Sequence, residues 1–184
     1  MKIGLISDTH GYFDPQLISL LAGVDRILHA GDVGSREVLD ELRAIAPADA
    51  VRGNVDPPEL GLPLSRVVLL EGVQVEILHI LPAPQTQVEA WSMGNLSAKA
   101  GAESRKRFRQ CFDRATRVVV FGHTHQPALF DLEQTIFVNP GSAGRKRFSL
   151  PRCCARMQIS DGEGEVKILS LEDYNETVTG SIRF

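Results

Sequence analysis

No stretch of this sequence approaches the ~20 consecutive apolar residues that a membrane-spanning helix needs, so no membrane association is expected. Cysteine is scarce: Cys111, Cys153 and Cys154 are the only three, two of them adjacent, and no Cys-x-x-Cys pair occurs. That excludes a disulfide framework and a thiolate zinc site, and it suits a reducing, cytoplasmic compartment in which these thiols act as small buried hydrophobes. Excess charge of one sign is also lacking. Lys and Arg total 20 against 23 Asp and Glu, a formal charge of −3. That near-balance gives no basis for a nucleic-acid coat or an anionic-membrane partner. The apolar start Ile3-Gly4-Leu5-Ile6 is cut at once by Ser7-Asp8 and reads as a first strand, not a signal peptide. Linkers, internal repeats and low-complexity segments are missing too, so a single domain over residues 1–184 is expected.

What is present is a recurring pattern. An apolar run over 2–7 ends in Ser7-Asp8-Thr9-His10-Gly11, and Asp14-Pro15 then opens a helix with Leu17, Leu20 and Leu21 on one face, closed by Gly23. A second run, Arg26 to His29, stops at Ala30-Gly31-Asp32. Ser35 can cap the next helix, whose stripe is Val38, Leu39, Leu42, Ile45 and Ala46. A third short strand at Ala50-Val51 stops at Gly53-Asn54. Strand, polar turn and helix in repetition predict an α/β fold with a parallel sheet whose site lies at the C-terminal strand ends. Further on, residues 67–78, 127–138 and 153–169 read as hairpins, the last turning at Asp161-Gly162-Glu163-Gly164. A helix is expected around 95–115, with Leu96, Ala100, Phe108 and Phe112 inward, and Val118 to Phe121 reads as a buried strand.

The chemistry collects at the strand ends. Asp8, His10, Asp32, Asn54, His79, His123 and His125 each follow an apolar run directly or within a short turn. Asp8-Thr9-His10 and His123-Thr124-His125 each present two donors from one turn. Seven oxygen and nitrogen donors on one sheet edge suit two divalent cations, which sit roughly 3.5–4 Å apart and need a bridging ligand. A carboxylate bridges best, which nominates Asp32. Two dications and two aspartates leave a formal charge of roughly +2, attractive to phosphate and able to lower the pKa of bound water. His29, inside the second strand, is expected to be structural. Arg105-Lys106-Arg107-Phe108-Arg109 and Arg145-Lys146-Arg147-Phe148 are read as a solvated helix face and a turn, the second being the better candidate for a phosphate contact.

Asp8-Thr9-His10, Gly31-Asp32, Gly53-Asn54-Val55-Asp56, His79, Gly122-His123-Thr124-His125 and Asn139-Pro140-Gly141-Ser142, in this order, resemble the calcineurin-like metallophosphoesterase signature. Within that superfamily the chain is similar to the small single-domain prokaryotic phosphodiesterases. The resemblance implies a four-layer α/β/β/α sandwich of two facing mixed sheets flanked by helices. It implies one metal on Asp8, His10, Asp32 and His125, and a second on Asp32, Asn54, His79 and His123, with Asp32 bridging. It further implies attack on a phosphodiester by a metal-bridging hydroxide, with Asn54 also orienting the phosphate, and manganese as the metal, with nickel, iron or zinc as alternatives. The substrate would be a small phosphodiester or a nucleotide.

Two departures matter. Relatives usually place glycine after the His79 equivalent, where this chain has Ile80-Leu81-Pro82, and Trp91-Ser92-Met93-Gly94 could then form the pocket wall. The phosphoprotein phosphatases of the superfamily carry Gly-Asn-His-Glu and an aspartate three residues past the bridging one. Val55-Asp56 and Ser35 stand there instead, which argues against that activity. Asp56 is open to two readings, general acid or structural acceptor. Competing functions are a phosphomonoesterase or nucleotide pyrophosphatase at the same site, and a non-catalytic protein-binding scaffold of the same fold. A retromer subunit of that scaffold type has lost the histidine of the first motif, which His10 retains here. No sequence feature specifies an oligomeric state, and a homo-oligomer stays open.

Overall fold

The computed structural model describes residues 1–84, 102–147, 149–173 and 175–183. The first third follows the pattern read from sequence: β1 (Lys2–Ile6), α1 (Gln16–Leu20), β2 (Arg26–His29), α2 (Arg36–Ile45) and β3 (Ala48–Ala50). β1, β2 and β3 pair in parallel, with Leu5 opposite Leu28 and Leu28 opposite Asp49. The Asp14 carboxylate caps α1 by accepting the Gln16 N–H at 2.9 Å, and Arg152 binds its other oxygen. Ser35 stands at the N-cap of α2 with extended backbone, but its hydroxyl makes no capping bond. α2 is held instead by burial of Val38, Leu39 and Leu42, each such side chain contributing about 1.5–3 kcal/mol.

The remaining elements are β4 (Ser65–Leu70), β5 (Val73–Leu78), α3 (Ala102–Arg109), β6 (Thr116–Val120), β7 (Ala128–Leu132), β8 (Thr135–Asn139), β9 (Cys153–Ser160), β10 (Glu163–Ser170) and β11 (Glu176–Arg183). They extend the parallel β1–β2–β3 unit into the two facing mixed sheets that the family resemblance implies. There are two mixed sheets, ordered β11-β10-β9-β1-β2-β3 and β4-β5-β6-β8-β7. β9 joins β1 antiparallel, which closes the first sheet with a segment over 150 residues away in sequence. β5, β6 and β8 are parallel, flanked by antiparallel β4 and β7. Of the helix expected around 95–115, the described part is α3, and residues 95–101 and Trp91 to Gly94 lie outside the described residues.

Successive side chains point to opposite faces of each strand and sort the core into three layers. Ile3, Leu5 and Leu28 of the first sheet meet Val75, Ile77, Val118 and Val120 of the second in the central layer. Ile6, Ile27 and Ala50 point the other way, onto Leu17, Leu20, Leu39 and Leu42 of α1 and α2. Val119, Phe121, Phe130 and Phe137 face outward from the second sheet, onto Phe108 of α3 and Phe112 just beyond it. The result is an α/β/β/α sandwich, and the C-terminal ends of β1, β2, β5 and β6 open on one rim. Among the described residues no helix is long and apolar enough to cross a membrane.

Candidate metal centre

Every donor picked from the sequence arrives on that rim. Asp8 and His10 leave β1, Asp32 follows β2, Asn54 follows β3, His79 ends β5, and His123 and His125 follow β6. Sharp turns deliver them. Asp8, His10, Asp32, His123 and His125 have φ between 49° and 72°, making up five of the nine non-glycine residues with positive φ among the described residues. The other four lie in hairpin turns or, at Glu133 and Gln134, in the β7–β8 turn. Strain of this kind at non-glycine positions costs about 1–3 kcal/mol each and gathers at functional sites.

The donors form two adjoining groups. Asp8 Oδ1 is 3.3 Å from His125 Nε2, which faces His10 Nε2 at 3.1 Å. Across the site, Asn54 Oδ1 lies 3.0 Å from His79 Nε2 and 2.9 Å from His123 Nδ1. Asp32 stands between them, its Oδ2 3.3 Å from His79 Nε2 and 3.9 Å from His10 Nε2. The outward atoms are held in orientation. His79 Nδ1 donates to Ala30 O at 2.7 Å, which fixes the ring and turns Nε2 toward Asp32 and Asn54. Val55 N–H donates to Asp32 Oδ1 at 3.0 Å, and Ser7 and the His123 N–H occupy Asp8 Oδ2, leaving Oδ2 of Asp32 and Oδ1 of Asp8 for a ligand.

Asp8 Oδ1 is buried and has no hydrogen-bond partner. A buried carboxylate oxygen in that state is costly, and a cation is the partner its surroundings suit. Asp8, His10 and His125 form one group whose ligand atoms lie within 4.8 Å of one another, and Asp8, Asp32 and His79 form a second. Carboxylate, amide and imidazole donors fit divalent manganese, iron, nickel or zinc. The residues present therefore fit the implied metal chemistry.

Glycines in the motifs make the close packing feasible. A Cβ on Gly31 would sit 2.7–2.8 Å from Nδ1, Cβ and Cγ of His79, and one on Gly53 would collide with the Asp32 carboxylate and N–H. Asp56 settles as a structural acceptor: its carboxylate takes the N–H groups of Val33 (3.1 Å), Gly34 (2.7 Å) and Gly53 (2.8 Å), tying the Asp32 and Asn54 turns together. Asn139 donates to Gly122 O and Thr124 Oγ1, both at 3.0 Å, and fixes the His-x-His turn. Ser142 Oγ donates to Asp8 O at 2.9 Å. Ser7, which sequence reasoning passed over, is fully buried and donates to Asp8. Its signal was a hydroxyl between an apolar run and the first candidate ligand, Asp8.

Charges follow from these contacts. Burial alone would raise the Asp32 carboxyl, but the hydrogen bonds from His79 and Val55 and the nearby imidazoles bring it down to about 2. Burial works against a charged His79, yet the hydrogen bond to Asp32, the Asp8 charge and the Ala30 carbonyl together hold its pKa above the ordinary value. His10 is pushed down by burial and by Arg147, against the pull of Asp32 and Asp8. His29 is no ligand: it lies behind the site, fully buried, with Nε2 on Thr9 Oγ1 at 2.9 Å and Nδ1 without a partner, and burial drives its pKa to about 4. Of the basic runs, Arg109 clamps the carbonyls of Phe112, Asp113, Arg114 and Thr116, a structural role. Arg145 lies 4.6 Å over the Tyr12 ring near the site, and Lys146 pairs with Glu172 at 2.7 Å.

The sequence model of the calcineurin-like phosphoesterase superfamily domain matches residues 1–162. This chain belongs to the calcineurin-like phosphoesterase superfamily. A probable metallophosphoesterase from Methanothermobacter thermautotrophicus is 33% identical over 159 residues, covering 82% of each chain. Among solved structures, Vps29 from Chaetomium thermophilum covers 100% of this chain and 98% of its own, with TM-score 0.74 at 20% identity. The E. coli phosphoesterase Yfce covers 100% of both chains at TM-score 0.65 and 20% identity. At those identities the two structures establish the fold of this calcineurin-like phosphoesterase, two mixed sheets with flanking helices, and the family match supports a metal-binding phosphoesterase.

Proposed function

We propose that the protein is a two-metal phosphodiesterase acting on a small phosphodiester or nucleotide. The observation that carries this reading is the buried, unpartnered Asp8 Oδ1 among imidazole nitrogens, with Asp32 Oδ2 reaching toward a histidine of each group. Asp8, His10, Asp32 and His125 would hold one ion, and Asp32, Asn54, His79 and His123 the other, with Asp32 shared. Two divalent ions there supply a lowered water pKa and stabilise charge on phosphoryl oxygens. The chain's own part is orientation. His79 is locked by Ala30, Asp32 by the Val55 N–H, and the two turns by Asp56, so the donors need no rearrangement when charge develops. Asn54 has its amide oxygen beside His79 Nε2 and His123 Nδ1, so its Nδ2 donor would be free to orient a phosphate oxygen. Asp56 has its oxygens occupied by backbone N–H groups and does not serve as general acid. A site without a dedicated acid favours good leaving groups.

Manganese is our choice of metal, and the free thiols of Cys111, Cys153 and Cys154 accord with a cytoplasmic setting. The fold likeness to Vps29 supports a second reading, a protein-binding scaffold. Against it stands His10, present and facing His125. The test is hydrolysis by metal-stripped protein reloaded with manganese, comparing bis-p-nitrophenyl phosphate with p-nitrophenyl phosphate. Faster, manganese-dependent cleavage of the diester supports the proposal. Faster cleavage of the monoester makes it a phosphomonoesterase, and no turnover with manganese, nickel, iron or zinc favours the scaffold.

A further inference from the structure

Beside the metal centre lies a cleft of about 590 Å³, lined by Asn54 and His79 on one side and by Arg52, Leu64, Leu78 and Ile80 on the others. Its volume falls within the roughly 300–1,000 Å³ typical of small-molecule sites. Two observations mark it as built for a ligand. Leu64 and Ile80, which line the cleft, are 67% and 49% exposed, two of the large exposed hydrophobics among the described residues. The Arg52 side chain is partly buried there, and among the described residues its guanidinium has no hydrogen-bond or ion-pair partner. The Arg52 N–H is fixed by Pro63 O at 2.7 Å, which anchors the residue two positions before Asn54.

With two divalent ions bound, the centre would carry net positive charge, and the Arg52 guanidinium beside it would add to that, more than a singly charged diester can balance. The arrangement becomes favourable when the ligand brings a second anion. The apolar walls offer surface to a planar nucleoside body, and a guanidinium binds phosphate through paired N–H donors. We infer that Arg52 is a specificity-determining residue for a second phosphate group, so that the substrates are nucleotides carrying a phosphate besides the scissile one. The nucleoside would lie along Leu64, Leu78 and Ile80, with one phosphate at the metal ligands and the other on Arg52. This rests on the phosphodiesterase reading for its chemistry, though not for its binding test.

The experiment is calorimetric titration of the manganese-loaded full chain with adenosine 5′-monophosphate and with adenosine 3′,5′-bisphosphate. The bisphosphate should bind about tenfold tighter or more, the gain expected of a charge-assisted Arg–phosphate contact. Arg52→Met should bring that ratio close to one with manganese stoichiometry retained, and Arg52→Lys should keep part of it. A native ratio near one, or a ratio that survives in Arg52→Met, overturns the inference. So does loss of manganese in Arg52→Met, which would make Arg52 a mere support for the Asn54 turn. If the ratio behaves as expected while no diester is cleaved, the subsite stands and the phosphodiesterase reading falls. Diester cleavage with an unresponsive ratio has the opposite meaning.

Discussion

Replacing Gly31 by alanine tests how tightly the backbone is fitted around the ligands. Gly31 has φ +90°, and a Cβ there would lie 2.7–2.8 Å from three side-chain atoms of His79, which is only 3% exposed. Two terms add. Left-handed backbone costs a non-glycine residue about 1–2 kcal/mol, and displacing His79 from Ala30 O at 2.7 Å loses a hydrogen bond worth about 1 kcal/mol. The sum, about 2–3 kcal/mol, lowers Tm by roughly 4–12 °C in a chain of this size. Gly72→Ala is the internal control, since Gly72 has φ +80° with nothing within 4 Å of its Cβ and pays the backbone term alone. Urea unfolding of both variants in chelator gives the stabilities, and manganese titration gives the second effect. Gly31→Ala should weaken one ion about 10–100-fold, as expected when the orientation of a ligand histidine is disturbed. Gly72→Ala should bind normally. Equal destabilisation of the two variants, or full metal occupancy in Gly31→Ala, refutes the fitted-backbone argument.

Asp32→Ala should abolish turnover and remove more than one equivalent of manganese, read by elemental analysis; loss of one ion or none contradicts a shared ligand. His10→Ala should lose one ion and keep the other, whereas equal loss of both counts against the assignment. His29 supplies a pH signature in metal-free protein. Its folded pKa of about 4 lies below the ordinary 6.5, so the stability from keeping it neutral is present above 6.5 and is lost as pH falls toward 4. His29→Gln should flatten that fall in Tm, and an unchanged pH profile sinks the idea. Asp32, held at about 2 against its usual 3.8, adds a further acid loss between those values.

The rim positions of the candidate donors were legible because an apolar run ends abruptly before them: Ile6 before Ser7-Asp8, Leu28 shortly before Gly31-Asp32, Leu78 before His79, Phe121 before Gly122-His123. A buried strand cannot tolerate such residues in its middle, so period and polarity reveal the rim directly. The division into two sheets was not legible from periodicity. It depends on β9 pairing with β1 through contacts such as Lys2 with Gln158, and nothing local in Cys153 to Ser160 specifies that neighbour. β11 escaped because only Val178 and Ile182 mark its alternation, with Gly180 between them, and the backbone partner β10 defines it. Family resemblance supplied the sandwich that periodicity could not. Asp56 was undecided in sequence because an aspartate beside a ligand turn looks the same whether it donates a proton or accepts three N–H groups. Arg52 left no signal at all, since its lack of a partner is a property of the folded surroundings.

Seven side chains from five strand ends are proposed to form two adjoining metal sites sharing Asp32. Crystals of the chain soaked in manganese, measured for anomalous scattering, test this most directly. Two peaks are expected: one among Asp8, His10, Asp32 and His125, the other among Asp32, Asn54, His79 and His123. A single peak, or two peaks with Asp32 bound to one of them only, would contradict the proposal.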